Sequence, residues 1–144
     1  KLGLRDARDD DPDLALSLFE LLERRRVDWT RFWRALSHDD AAALALLGDD
    51  ETSRAWFARL DERVVAPGGS DDERRAAMRA VNPKYVLRNW VAQVAIEATE
   101  RGDDTVVNAL LDVLRAPYEE HPAREEWTRS APPAYADLEV SCSS

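Results

Sequence analysis

The stretch from Asn82 to Asp103 constrains the fold most tightly, because it carries the start, the face and the stop of one helix. Asn82 can cap the first turn, its side-chain oxygen accepting a free backbone N–H. Pro83 suits the first helical position, where a missing N–H costs nothing. Gly102 suits the stop, where a positive φ is needed. Between them Val86, Leu87, Trp90, Val91, Val94, Ala95 and Ala98 recur at helical spacing and make one apolar face. The signals predict a helix running from Pro83 to about Arg101.

A helix with such a face needs partners, and the flanking sequence supplies them. Before it, Asp11 as cap and Pro12 as first residue open a helix to about Arg26, with Leu14, Leu18, Leu21 and Leu22 turned inward. Arg24, Arg25 and Arg26 then fall in its last turn, where the dipole favours cations. Asp28 or Thr30 caps a short helix through Trp29, Phe32, Trp33 and Leu36, an aromatic ridge suited to a core. Ser37-His38-Asp39-Asp40 starts an Ala/Leu helix from Ala41 to Leu47 that Gly48 ends. Glu51 to Val65 carries Trp56, Phe57, Leu60 and Val64 on one side. Pro67-Gly68-Gly69 reads as a loop between helices. Ser70 and Glu73 form a capping box for a charged helix to Val81, expected to be exposed.

After it, Asp103 caps a helix bearing Val106, Val107, Leu110, Leu111 and Leu114, which Pro117 ends. A connection this short predicts an antiparallel helix hairpin. From residue 116 the pattern changes, because Pro117, Pro122, Pro132 and Pro133 forbid continuous helix. Tyr118, Trp127, Tyr135, Leu138 and Val140 are too many apolar groups for a free tail. The fold class is therefore all-α: a bundle of about six or seven short helices over residues 1–115, with an irregular, proline-rich docking tail over 116–144.

The chemistry-bearing residues are sparse. Four aspartates lie at positions 9, 10, 11 and 13, but the glycine and distal glutamate of a calcium loop are missing. His38 and His121 stand far apart with no ligand-spaced partner, so no metal site is expected. The net charge of −9 argues against a nucleic-acid or membrane-surface partner, since phosphate contact needs clustered cations. The single cysteine, Cys142, cannot form an internal disulfide, which suits a reducing compartment or a bond to something outside this segment. With no apolar signal segment, a cytoplasmic location is expected. With no initiator Met, the chain is expected to be a piece of something longer.

Several blocks, in order, resemble the C-terminal part of the selenoprotein O (SelO, YdiU-like) family of protein adenylyltransferases. They are Lys1-Leu2-Gly3-Leu4, Asp28-Trp29-Thr30 with Phe32, Trp56-Phe57, and Asn82-Pro83 with Val86-Leu87-Arg88-Asn89-Trp90 and Ala92-Gln93. Gly102-Asp103, Leu114 with Pro117-Tyr118, Pro132-Pro133 and the ending Leu138-Glu139-Val140-Ser141-Cys142-Ser143-Ser144 complete the set. Tyr135 departs from the family, which more often has Trp there.

The resemblance implies a parent with a kinase-like fold that transfers AMP from ATP to Ser, Thr or Tyr hydroxyls of proteins, using Mg²⁺ or Mn²⁺. It implies that the catalytic, nucleotide-binding and metal-binding residues lie upstream, with none in this segment. The implied partners are the kinase-like domain of the same protein and the parent's protein substrates. It also implies a redox role for Cys142, since eukaryotic relatives place selenocysteine at that position. A freestanding helical protein-interaction module is the alternative.

Overall fold

The computed structural model describes residues 1–64 and 70–136. Among them are seven α-helices: α1 (Asp11–Arg24), α2 (Trp29–Leu36), α3 (Asp40–Leu47), α4 (Glu51–Val64), α5 (Asp71–Val81), α6 (Asn89–Glu100) and α7 (Thr105–Arg115). Two 3₁₀ turns follow, Pro122–Thr128 and Pro133–Tyr135. The described residues contain no strand, so the fold is all-α as expected. The Pro67-Gly68-Gly69 loop lies outside the described residues. The chain forms two compact units, Lys1–Pro83 and Lys84–Ser144.

In the first unit most local start signals act as expected. Asp28 caps α2 by accepting from the Arg31 N–H at 3.0 Å, and Asp39 caps α3 through the Ala41 N–H at 3.0 Å. The Ser70 hydroxyl accepts from the Glu73 N–H at 3.1 Å. Gly48 ends α3 with φ of 88°. The apolar faces of α1 to α4 meet in one core holding Leu14, Leu18, Phe32, Leu36, Trp56 and Leu60. Its aromatic rings pack edge to face, Phe32 against Trp56 with centroids 6.4 Å apart and Trp56 against Phe57 at 5.1 Å. The Trp56 indole N–H donates to the Leu14 carbonyl at 3.0 Å, so the buried ring keeps its polar group satisfied.

Four expectations need correction here. Helix α1 begins at Asp11 with Asp10 as its flanking residue, and no side chain caps it. It stops at Arg24, because Arg26 turns left-handed at φ 52° and the Val27 N–H bonds back to the Leu22 carbonyl at 2.9 Å. Helix α5 is not simply an exposed helix: Arg74 and Met78 are buried. The first residues of the chain lie against them, with Gly3 at φ 71° and an added Cβ only 2.7 Å from Arg74 Cγ. Only glycine fits that approach.

The largest correction concerns Asn82. The helix expected from Pro83 starts instead at Asn89. Asn82 closes α5, its N–H donating to the Met78 carbonyl at 2.9 Å. Its buried side chain donates to the Lys1 carbonyl at 3.0 Å and the Ser37 hydroxyl at 3.1 Å, and accepts from Lys1 Nζ at 3.1 Å. The next two N–H groups are also committed elsewhere, since Lys84 and Tyr85 both donate to the Pro117 carbonyl, at 2.9 and 3.1 Å.

In the second unit α6 and α7 pack side by side, folded back by residues 101–104. Gly102 takes φ of 82°, and the Gly102 and Asp103 N–H groups bond the Thr99 and Ala98 carbonyls at 2.8 and 3.0 Å. That is the stop the sequence predicts. Val91, Ala95, Leu110 and Val113 form the seam between the helices, joined by Tyr85, Trp90 and Trp127. Residues 116–136 follow α7 as turns, not as helix.

Candidate functional site

The first unit holds its charge inside. Arg63 on α4 is only 5% exposed, yet reaches four oxygens of the N-terminal segment, one of them Asp11 Oδ1 through its Nε at 2.5 Å. It donates to the Asp6 carbonyl at 2.6 Å, the Asp6 carboxylate at 3.2 Å and the Asp11 carboxylate at 3.1 Å. Asp11 also accepts from the Arg8 N–H at 2.9 Å. The Arg63 hydrogen bonds, with that backbone bond, hold the Asp11 carboxyl at about 2, well below its ordinary value. Nearby, Arg74 Nε donates to Asp71 at 3.0 Å and Arg75 Nη2 to Asp40 at 2.9 Å. Gly3, Asp6, Asp40, Asp61, Arg63 and Arg74 line a cavity of about 420 Å³ between these groups.

The second unit uses mainly neutral donors. The Tyr85 hydroxyl donates to the His121 carbonyl at 3.0 Å, and the Trp90 indole N–H to the Arg129 carbonyl at 3.2 Å. The Tyr135 hydroxyl donates to Glu97 at 3.0 Å. Lys84 bonds Glu120 and Glu125, the latter at 2.6 Å. Burial works to lower the Lys84 pKa, but the two carboxylates outweigh it and the net shift is upward. Together these contacts fasten residues 117–135 along α6.

A nucleoside triphosphate with its metal needs cations free to meet phosphate and carboxylates free to hold the ion. The cavity's three arginines are already matched to carboxylates: Arg63 to Asp6 and Asp11, Arg74 to Asp71, and Arg5 to Glu73. Among the described residues no group of three or more His, Cys, Asp or Glu side chains is placed to hold a metal ion. These residues do not fit the ATP–metal group. The cavity is instead built as a clasp on the N-terminal segment.

Of the residues singled out from sequence, Cys142 lies outside the described residues. Asp11 belongs to the clasp, not to a calcium loop. His121 packs its ring edge-on to Tyr85, with centroids 5.2 Å apart. Arg25 of the basic run donates to the Leu47 carbonyl at 2.8 Å and pairs with Asp50. Among the described residues no helix is long and apolar enough to cross a membrane. Sequence reasoning missed Arg63 and Arg74. No local pattern marks them, because their partners lie up to 57 and 72 residues away.

No protein-family model matches the chain. Three curated relatives are similar along all of it, each named protein nucleotidyltransferase YdiU. The protein of Myxococcus xanthus is 45% identical over 151 residues, with 31% of its length covered. That of Pseudomonas aeruginosa (strain LESB58) is 44% identical over 149 residues, again with 31% covered. That of Vibrio atlanticus is 40% identical over 148 residues, with 30% covered. The chain thus spans about a third of the length of the curated relatives it matches, and the part matched is C-terminal. The family resemblance carried by the Asn82–Trp90 block holds along the whole chain.

Proposed function

We propose that this chain is the C-terminal, non-catalytic helical portion of a YdiU-type protein adenylyltransferase. The whole polypeptide would transfer AMP from ATP to Ser, Thr or Tyr hydroxyls of proteins. The observation that carries the proposal is the similarity over all of this chain to nucleotidyltransferases of which it spans 31%. The donor set of the first unit supports placing ATP and Mg²⁺ or Mn²⁺ elsewhere, since its guanidiniums are matched to carboxylates. In this reading residues 1–115 support a kinase-like domain that precedes them, and residues 116–144 dock as the tail. Cys142 is the candidate redox position. Redox sensitivity of the parent that survives Cys142→Ser would remove it from that role. The parent is placed in the cytoplasm.

The test is AMP transfer from α-labelled ATP, with metal and acceptor protein supplied, by the 144-residue chain and by the longest natural product of its gene. Label incorporated by the long product alone is the expected result. Label incorporated by neither would overturn the activity and favour the freestanding interaction module.

A further inference from the structure

The first unit carries an apolar groove that its own helices leave open. Lys1, Leu2, Phe19, Trp33, Ala77 and Val81 help to line a cavity of about 570 Å³, walled by the start of the chain, α1, α2 and α5. Phe19 extends it to Trp29, with ring centroids 5.1 Å apart, and Trp29 returns to Trp33 at 5.5 Å. Phe19 is 39% exposed, Trp29 43% and Val81 52%. Single exposed apolar side chains are ordinary, but a contiguous set rimming a groove marks a surface built to be covered.

The relatives point to what covers it. The chain matches a C-terminal part amounting to 31% of their length, so most of their chain precedes the position of Lys1. Lys1 itself stands in the groove wall, its Nζ 5.6 Å from the centre of the Trp33 ring. A segment joined to Lys1 reaches the groove at the high effective concentration of a tethered ligand. We propose that the Phe19–Trp29–Trp33–Val81 groove is the docking face for an apolar segment of the polypeptide that precedes Lys1. The proposal rests on the reading that this chain is the C-terminal portion of a longer protein.

Covalent footprinting with a photogenerated carbene tests it. Labelling of Phe19, Trp29 and Val81 is read in the dilute 144-residue chain and in the longest natural gene product. Strong labelling in the short chain, falling several-fold in the long one, is expected. Equal labelling in both would overturn the proposal. So would weak labelling already present in the dilute short chain, which would mean that the groove is covered within it. Labelling of the short chain that falls as its concentration rises would assign the groove to a second copy instead. The readout needs no activity. A long product that transfers AMP while Phe19 and Trp29 stay exposed sinks the docking face alone. One that protects them without transferring AMP sinks the activity alone.

Discussion

Each unit of the molecule must hold an irregular segment against its helices, and the two do it with different chemistry. The first unit holds residues 1–11 with buried charge: Arg63 on Asp6 and Asp11, and Arg74 on the Leu2 carbonyl. The second holds residues 117–135 mainly with neutral donors of aromatic rings, those of Tyr85, Trp90 and Tyr135. Both solve one problem, since backbone carbonyls outside helices need donors once water is excluded. Charged donors bind harder but require carboxylate partners, so the first clasp is exposed to acid. The ring donors of the second unit are weaker per contact and carry no charge of their own, and only Lys84 with Glu120 and Glu125 adds an ion pair to them.

The largest expected effect comes from breaking the charged clasp. Arg63→Ala should destabilise the protein by about 2–4 kcal/mol in urea unfolding, toward the lower end of a broken buried ion pair. Asp6 is largely exposed and Asp11 keeps the Arg8 N–H, which limits the loss. The same clasp sets an acid limb. Asp11 titrates at about 2 in the folded chain, against an ordinary value near 3.8. Its contribution is complete above the ordinary value and is lost as pH falls toward 2. Arg63→Ala should flatten that part of the stability–pH curve. An unchanged curve would break the comparison.

Next is Asn82→Ala, which leaves the Lys1 carbonyl and the Ser37 hydroxyl without the donor they share. A loss of about 1–3 kcal/mol is expected for such buried polar groups. Hydrogen exchange distinguishes the two roles open to Asn82. As the tie of the first unit, its loss should release amides near the end of α5. As a helix cap, its loss would release the first turn of α6.

Asn82 also shows how far the sequence could be read. Where a signal acts within one turn, as at Asp28, Asp39, Ser70, Gly102 and Pro117, the local rule predicts the structure. At Asn82 and Pro83 the same rule is outbid by distant partners: Lys1, Ser37 and the Pro117 carbonyl. The Leu and Trp stripes foretold the core. Arg63 was invisible, because one arginine on a charged helix looks solvated until Asp6 and Asp11 are brought over it. Helix α5 was misjudged for the same reason, since what buries Arg74 and Met78 is the Gly3 segment. The open groove is half legible: the ridge of Trp29, Phe32 and Trp33 reads as core, which holds for Phe32 and Trp33, while Trp29 is left at the surface.

Tyr85→Phe probes the neutral clasp. It removes the hydroxyl's bond to the His121 carbonyl and the one it accepts from the His121 N–H, and leaves the ring in place, so about 0.5–1.5 kcal/mol should be lost. Burial raises the Tyr85 pKa, which keeps the hydroxyl protonated well above neutrality. Amides of residues 117–128 should exchange faster, and the acid limb should keep its shape. An altered acid limb would mean that the two clasps are not chemically separate.

The smallest effect is the sharpest control. Arg115 pairs with Asp112 at 3.6 Å on α7, with both side chains about three-quarters exposed. The pair matches Arg63–Asp11 in chemistry and differs in burial and in anchoring. Water screens it on both sides. Arg115→Ala should therefore cost no more than about 0.5 kcal/mol. Part of even that would come from the loss of a cation at a helix C-terminus, where the dipole favours one. Raising the salt concentration should shrink the difference between Arg115→Ala and the parent chain, and barely alter that between Arg63→Ala and the parent. Equal losses at the two sites would mean that ion-pair chemistry alone holds the first unit's N-terminal segment. Unequal losses would assign that hold to the burial of Arg63 beneath it.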